Sequence, residues 1–389
     1  MVDMQKKANP SKGVDSIMKK VLFIFGTRPE AIKMAPLIKE LESRGKAFYV
    51  KVCVTGQHKE MLYQVLNFFS ISPDYDLEVM TPGQTLFGVT ASIFNKIEPI
   101  LDDFKPDIVL VQGDTTSVLV GAVGAFYKKI KIGHVEAGLR SGDLHSPFPE
   151  EMNRVLVSRI ADYNFAPTAT AKKALIGEGV SKDSVFETGN TVIDALLLGI
   201  DIVRGHDQSE YEKVVGNVDL TKRIVLVTGH RRESFGDSFE HMCSAIRRIA
   251  LENNDVEVVY PVHLNPNVQE PVNRLLAKVK NIHLLPPLDY PNLIWLMEKS
   301  YLVLTDSGGI QEEAPTLGKP VLVMREVTER QEGIDAGTAK LVGSSEAVIY
   351  SETQKLLDGQ EAYGNMANAV NPYGDGTASK QIADILEKR

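Results

Sequence analysis

The chain has 389 residues, of which 43% are hydrophobic and 24% are charged, a composition typical of a globular protein with room for two domains. Its formal net charge of -8 argues against a broad nucleic-acid-binding surface, although a local basic pocket for a small anion is compatible with that charge. No apolar run is long enough to predict a transmembrane helix, and two cysteines cannot form a disulfide framework, so we expect reduced thiols in a cytoplasmic protein.

The N-terminus is polar and basic. Residues 1–17 lack the apolar segment that a secretory signal needs. We therefore expect residues 1–19 to be an N-terminal extension, disordered or left over from cloning, with Met18 as the functional start.

From Val21 onward, short apolar strands alternate with amphipathic helices, which predicts mostly parallel, doubly wound sheets. The pattern thins between residues 189 and 216 and then restarts, so we predict two Rossmann-like halves that face each other across a cleft. The predicted strands are residues 21–25, 49–54, 108–111, 131–135 and 163–166 in the first half, and 224–227, 256–260, 282–285, 301–304 and 321–324 in the second. Ligands of such sheets bind beyond the carboxyl ends of the strands, so functional residues should follow strands directly.

The first predicted strand is followed by a glycine turn with two cations. Gly26 begins this turn, Pro29 suits an early helical position, and Arg28 and Lys33 come within the first turns of the helix. The arrangement favours an anion site, although two solvated cations on a helix face would give the same pattern. No G-x-G-x-x-G motif occurs here, so we expect no nicotinamide or flavin cofactor.

Acidic residues follow the next buried strands of the first half. Asp114 and Glu136 come close after strands, and Glu150 or Glu151 follows in a later loop. Asp114 could equally be a simple helix cap. If these carboxylates converge, their repulsion raises at least one pKa toward the range useful for proton transfer.

Basic residues follow the strands of the second half. The run 230–232 is His-Arg-Arg beside a glycine, which suits a diphosphate. His263 also follows a strand, but it has no cysteine or carboxylate partners at ligand spacing, so we predict no metal site. Arg330 could reach the same cleft.

Residues 305–321 contain a strand-to-helix turn with the sequence Ser307, Gly308, Gly309. The free N–H groups of a helix N-terminus suit a phosphate, and glycines allow it to approach closely. Glu313 would repel a phosphate unless it faces the hydroxyl pair of a ribose, so a nucleoside diphosphate fits both features. An ordinary helix capped by Ser307 is the alternative.

Seven segments, in this order, resemble motifs of the non-hydrolysing UDP-N-acetylglucosamine 2-epimerases: residues 26–36, 112–116, 134–140, 149–154, 229–236, 261–266 and 305–315. The resemblance implies a GT-B-like α/β fold of two Rossmann-like doubly wound domains facing across a cleft. The N-terminal domain would span residues 20–188, with 372–389 crossing back to it, and would carry the catalytic carboxylates. Residues 189–371 would form the UDP-binding domain.

The resemblance also implies an activity, reversible epimerisation at carbon 2 of UDP-N-acetylglucosamine to UDP-N-acetylmannosamine. The reaction would proceed by elimination of UDP to 2-acetamidoglucal and re-addition, without a cofactor, and would supply precursors for cell-surface polysaccharide. We expect a homodimer whose partners are these nucleotide sugars, with no nucleic-acid or membrane partner.

Carried over by position, the resemblance implies two sets of site residues. The catalytic set comprises Asp114, Glu136, Glu150 and His230. The substrate-binding set comprises Arg28, Lys33, Arg154, Arg231, Ser307, Gly308, Gly309, Glu313 and Arg330.

Some members of the family are activated by a second UDP-N-acetylglucosamine molecule. Gln57 and His58 match part of that second site. Glu60 and Gly83 stand where such members have a neutral amide and a basic residue, and these departures argue against activation.

Three other functions fit parts of the pattern. A retaining GT-B glycosyltransferase would share the nucleotide site but would need an acceptor groove in the N-terminal half. A hydrolysing epimerase would release free UDP. A nucleotide-sugar sensor without chemistry would not need three acidic groups.

Overall fold

A computed structural model of the chain describes residues 18–56, 59–81 and 83–389, which form two parallel sheets with helices on their faces. We call them the first and second units. Residues 1–17 lie outside the described residues, as do Gln57 and His58, the two residues that match part of a second substrate site.

The first unit contains a seven-stranded sheet in the order β3-β2-β1-β4-β5-β6-β7, with every pairing parallel. Its strands are β1 Lys19–Phe25, β2 Phe48–Val54, β3 Tyr75–Asp76, β4 Ile108–Gln112, β5 Lys131–Val135, β6 Tyr163–Ala166 and β7 Val185–Glu187. Residues 21–25 of β1 are fully buried, as expected for a strand covered on both faces.

The second unit repeats this topology in a six-stranded parallel sheet, in the order β10-β9-β8-β11-β12-β13. Its strands are β8 Arg223–Thr228, β9 Val256–Pro261, β10 Ile282–Leu285, β11 Leu302–Thr305, β12 Val321–Val323 and β13 Ala339–Leu341. In each unit the strand order reverses beside the first strand, and such switch points bind ligands. The turns after β1 and β4, and those after β8 and β11, lie at these two positions.

The helices cover both faces of each sheet. Those of the first unit are α1 Arg28–Ser43, α2 Lys59–Phe68, α3 Leu86–Phe104, α4 Thr116–Tyr127, α5 Glu150–Ile160 and α6 Ala169–Gly177. The connecting helices are α7 Thr191–Gly205 and α8 Gln208–Val215. The remaining helices are α9 Asp237–Glu252, α10 Pro266–Leu276, α11 Tyr290–Lys299, α12 Gly308–Glu313, α13 Gln331–Asp335, α14 Glu346–Asp358, α15 Gln360–Ala367 and α16 Ala378–Lys388.

The last helix returns to the first unit. Helix α16 packs against α1 and α7, and Arg44 at the end of α1 forms an ion pair with Asp384, at 2.6 Å. Helix α7 in turn packs against α11 and α12 of the second unit. The two units are therefore joined by packed helices as well as by the chain.

The predicted fold class is confirmed, and so are the ten predicted strands, whose ends differ from the prediction by at most two residues. Cys53 and Cys243 are free thiols, as predicted, and both are buried. Within the described ranges, no helix is long and apolar enough to cross a membrane.

Candidate functional site

A cavity of about 450 Å³ lies where the carboxyl ends of the two sheets face each other, a volume typical of small-molecule sites. Its walls come from both units. The predicted site residues that line it are Arg28, Lys33, His230, Ser307, Gly309, Glu313 and Arg330.

The turn after β1 is closed by a carboxylate of its own helix. Glu30 is buried, and it accepts hydrogen bonds from the backbone N–H groups of Gly26, at 2.8 Å, and Thr27, at 2.7 Å. A Cβ at Gly26 would lie 1.9 Å from Thr55 Oγ1, so only glycine fits this turn. Because Glu30 already occupies these N–H groups, an anion at this end of α1 must be held by side chains, of which Arg28 lines the cavity.

Lys33 and Glu136 form a buried ion pair at the edge of the cavity, with 2.5 Å between Lys33 Nζ and Glu136 Oε1. Gln112 Nε2 donates to the other carboxylate oxygen of Glu136, at 2.5 Å. Although burial alone would raise the pKa of Glu136, the Lys33 ammonium holds it below its ordinary value. Glu136 is therefore ionised in this environment.

The backbone of Glu136 adopts an unusual conformation, with φ at 63°. This left-handed region costs a residue other than glycine about 1–3 kcal/mol and is enriched at functional sites. The surrounding bonds to the side chain hold Glu136 there, which distinguishes it from an ordinary loop carboxylate.

Asp114 lies close to this pair but has the opposite pKa shift. Burial raises the pKa of Asp114, the nearby Glu136 carboxylate raises it further, and the ion pair with Arg154 only partly offsets them. The two carboxyls thus have pKa values pushed in opposite directions, as is typical of an acid and a base that work together.

The two adjacent glutamates of α5 have different environments. Glu151 is buried, accepts the N–H groups of Ser141 and Gly142, at 3.0 Å and 3.2 Å, and faces Arg154 at 3.3 Å. Glu150 is half-exposed at the first position of the helix. Glu151 therefore anchors the preceding loop and Arg154, and Glu150 is the glutamate with access to solvent.

A second buried ion pair faces the first one from the other unit. Glu312 accepts from Arg330 Nε, at 2.7 Å, and from Asn190 Nδ2, at 2.6 Å. Asn190 Nδ2 also donates to Glu136, at 2.9 Å. Glu312 and Asn190 were absent from the predicted site, because Asn190 has the pattern of a plain helix cap and Glu312 that of an ordinary first-turn glutamate.

The loop after β8 is held by the buried residue Asp306, which follows β11. Asp306 Oδ2 accepts the backbone N–H groups of His230 and Arg231, each at 2.7 Å. The His230 ring stacks on His263 with centroids 5.1 Å apart. Burial lowers the pKa of His230 more than Asp306 raises it, so its imidazole is neutral near pH 7.

The turn after β11 leaves its polar groups directed at the cavity. Ser307 precedes α12, but its hydroxyl makes no capping hydrogen bond to that helix. Glu313 is buried and accepts from the Tyr290 hydroxyl at 3.3 Å. Burial and the adjacent Glu312 raise the pKa of Glu313 to about 7. Ser307 is thus available to a ligand, and Glu313 changes charge near neutral pH.

Two further predicted binding residues, Arg231 and Gly308, lie next to residues that line the cavity, whereas Arg154 pairs with Asp114 and Glu151. Arg231 approaches Glu329 at 3.4 Å, and a Cβ at Gly308 would lie 3.2 Å from the same glutamate and 3.5 Å from Arg330 Cζ. Among residues 18–56, 59–81 and 83–389, no group of three or more His, Cys, Asp or Glu side chains is placed to hold a metal ion.

The sequence matches the family model for UDP-N-acetylglucosamine 2-epimerase over residues 39–387. A UDP-N-acetylglucosamine 2-epimerase of Salmonella typhimurium is 55% identical over 370 residues, covering 95% of this chain and 98% of the relative.

Two solved structures share the fold. The UDP-GlcNAc 2-epimerase from Neisseria meningitidis bound to UDP-GlcNAc has a TM-score of 0.87 and 47% identity, covering 95% of this chain and 100% of its own. The Methanocaldococcus jannaschii UDP-GlcNAc 2-epimerase in complex with UDP-GlcNAc and UDP has a TM-score of 0.77 and 33% identity, covering 95% of this chain and 100% of its own.

Proposed function

The chain belongs to the UDP-N-acetylglucosamine 2-epimerase family, and we propose that it interconverts UDP-N-acetylglucosamine and UDP-N-acetylmannosamine by eliminating UDP and adding it back. The observation that carries this mechanism is the opposed pair Asp114 and Glu136 beside a cavity lined by cations. The product would supply mannosamine-derived units for cell-surface polysaccharide.

The carbon 2 proton of the sugar is not adjacent to a ring carbonyl, so its direct removal would be too slow. In the proposed first step the bond between carbon 1 and the diphosphate oxygen breaks, and UDP leaves with the bonding electrons. Positive character at carbon 1 then acidifies carbon 2. Cations placed at the leaving diphosphate stabilise its developing charge, and Arg28, Arg330 and the His230 loop are the groups we assign to this role.

Proton transfer at carbon 2 requires one group to take a proton and another to return one to the opposite face. We assign Glu136 as the base, because its carboxylate is held ionised by Lys33, and Asp114 as the acid, because its environment favours the proton. The roles exchange in the reverse direction. Glu150 completes the proposed carboxylate set from the start of α5.

The nucleotide is proposed to lie against the second unit. Ser307 and Gly309 would contact the diphosphate, and Glu313 would accept the ribose hydroxyls, since all three line the cavity. Gly308 and Arg231 would support this contact from beside Arg330. Arg154 would act through its ion pair with Asp114.

Incubation in deuterium oxide tests the proposed chemistry. Carboxyl protons exchange rapidly with solvent, so UDP-N-acetylglucosamine alone, without added nicotinamide or metal, should yield UDP-N-acetylmannosamine deuterated at carbon 2. The recovered starting sugar should also gain deuterium as equilibrium is approached, and little free UDP should accumulate. Proton NMR follows all three species in one tube.

Each competing function gives a different spectrum. A glycosyltransferase would leave carbon 2 unchanged, a sensor would produce no epimer, and a hydrolysing enzyme would release UDP in step with turnover. Epimer with a fully protonated carbon 2 would require hydride chemistry or carbon–carbon cleavage, and the roles given to Asp114, Glu136 and Glu150 would then have to be abandoned.

We also propose a homodimer through an aromatic face on α3 and α4. Phe87, Phe126 and Tyr127 are 87%, 55% and 72% exposed, and Tyr127 stacks on Phe94 with centroids 6.3 Å apart. Exposed aromatic side chains are typical of interaction sites, and symmetric dimers are the commonest assembly, so we assign the interface to these two helices.

Light scattering of the purified chain should therefore give twice the mass of the monomer. Phe126→Asp should shift the mass toward one chain, because an interface carboxylate would be buried without a partner. Val370→Asp is the matched control, since Val370 is 84% exposed elsewhere on the surface and should leave the dimer intact. A monomeric parent, or a dimer unaffected by Phe126→Asp, would contradict the assignment.

A further inference from the structure

The chain passes between the two units twice, once after β7 and once in the segment before α16. Asn190 lies at the first of these crossings, between β7 and α7, and contacts the second. Its backbone N–H donates to the carbonyl of Tyr373, at 2.7 Å, in the segment that leads into α16. The side chain is buried, with 2% of its surface exposed. The position of Asn190 is therefore fixed by both crossings of the chain.

The orientation of the Asn190 amide is set by its role as a helix cap. Its Oδ1 accepts the N–H of Val192 in the first turn of α7, at 3.3 Å. Nδ2 therefore points the other way, and its two hydrogens are donated to two carboxylates, Glu136 at 2.9 Å and Glu312 at 2.6 Å. One carboxylate belongs to the first unit and the other to the second.

A neutral group with two donors suits this position between two buried anions. Each anion already has one cation, Lys33 on Glu136 and Arg330 on Glu312, at 2.5 Å and 2.7 Å. The amide satisfies one further acceptor on each side without adding charge, and a buried acceptor left without a donor is destabilising. An aspartate at the same place would put a third negative charge between the other two.

We propose that Asn190 is a positioning residue for the reaction, which joins Glu136 to Glu312 when the units close on the substrate and thereby fixes the carboxylate that accepts the carbon 2 proton. This inference rests on the proposed function of Glu136. Separation of the units would break one of the two contacts of the amide, to Glu136 or to Glu312, and with it the link. Closure of the two units and alignment of the Glu136 carboxylate would then occur together, because the Asn190 amide takes part in both.

Asn190→Asp tests the proposal with almost no change of shape. Aspartate is as good a helix cap as asparagine, so the start of α7 is preserved while the two donors are lost. We expect kcat to fall by about 10²-fold, the effect of a small misplacement of a catalytic group. KM should change little, because the proposed nucleotide contacts are made elsewhere.

The pH profile separates positioning from general damage. Three carboxyls would face one another in Asn190→Asp, those of residue 190, Glu136 and Glu312, with Asp114 close to Glu136 and the cations Lys33 and Arg330 on either side. Lowering the pH adds a proton to this group and restores a donor between the units. The ratio of the variant's kcat to the parent's should therefore rise as the pH falls.

Asn281→Asp is the matched control. The Asn281 amide is half-buried in the second unit and donates to the backbone carbonyls of Ala250 and Val256, both at 2.8 Å. This control should lose stability but keep the parent's kcat and pH profile. An Asn190→Asp protein with the parent's kcat, or with a loss that has no pH signature, would overturn the proposal.

Small-angle scattering tests the link without using catalysis. With bound UDP, the parent should be more compact than Asn190→Asp, and equal radii of gyration would show that the amide does not join the units. If the parent converts no UDP-N-acetylglucosamine, the proposed function fails, but the difference in radius still decides whether Asn190 links the units.

Discussion

Glu136→Gln should lower kcat by about 10²–10⁴-fold, the contribution typical of a general base or acid. Glutamine keeps the shape of the side chain and can still accept a hydrogen bond, but it cannot take the carbon 2 proton. Calorimetry should give UDP affinity close to the parent's, because the nucleotide contacts are assigned to Ser307, Gly309 and Glu313 of the second unit and not to Glu136. The rate is measured by NMR at saturating UDP-N-acetylglucosamine.

Loss of the Glu136 carboxylate also leaves Lys33 buried without its anion, so destabilisation must be separated from loss of chemistry. Glu257 provides a matched control in the second unit, where it is buried and paired with Lys222 at 2.7 Å and with His283 at 2.5 Å. Glu257→Gln breaks a comparable buried ion pair and should lower the denaturation midpoint while leaving kcat intact. Comparable kcat losses in the two variants would refute the assignment of Glu136 as a proton-transfer group.

The sequence predicted the order of the fold because buried parallel strands are continuous apolar runs that are easy to recognise. The strands that it missed, β3, β7 and β13, have only two or three residues, and each lies at the edge of its sheet. Such segments are too short to show any periodicity, and neighbouring strands, rather than their own composition, determine their pairing.

Site residues could be predicted where a polar side chain with a recognisable chemical role directly follows a strand, as with His230 and Ser307. What the sequence could not give was which charges neutralise one another. Lys33 and Arg330 looked like free cations for a diphosphate, but each pairs with a buried carboxylate of its own unit, Glu136 and Glu312 respectively. The partners are 103 and 18 positions apart in the sequence, and each pair meets only when its own unit has folded.

This pairing changes the electrostatic description of the cavity. Because Lys33 and Arg330 each have a carboxylate partner, we assign the main contact with a leaving diphosphate to Arg28, with Arg330 contributing less. Burial lowers the pKa of Arg28 more than Asp289 and Glu313 raise it. A guanidinium stays charged at neutral pH even so. Glu313 also lines the cavity and raises the pKa of Arg28, so the charge of Glu313 affects this cation.

Glu313→Ala should weaken UDP binding by roughly 1.5–3 kcal/mol, the value of hydrogen bonds to a charged group. This corresponds to about a 10- to 150-fold higher Kd. The reason is that Glu313 is assigned as the acceptor of the ribose hydroxyls. Calorimetry with 2',3'-dideoxy-UDP supplies the control. This ligand lacks the ribose hydroxyls, so Glu313→Ala should bind it almost as tightly as the parent does. Equal losses of affinity for the two ligands would contradict the assignment of Glu313 as the acceptor of the ribose hydroxyls.

The pH dependence of the same binding provides an independent check. In the free protein the pKa of Glu313 is raised to about 7, chiefly by burial. If UDP binds the ionised carboxylate, Glu313 must lose its proton on binding whenever the pH is below its pKa. The parent's affinity for UDP should therefore be constant above pH 7 and fall by up to about tenfold per pH unit below it. Glu313→Gln should lose this dependence, and so should the parent with dideoxy-UDP, whose phosphates titrate as those of UDP do. A parent whose pH dependence persists in Glu313→Gln would place the titrating group elsewhere, on the phosphates or on His230.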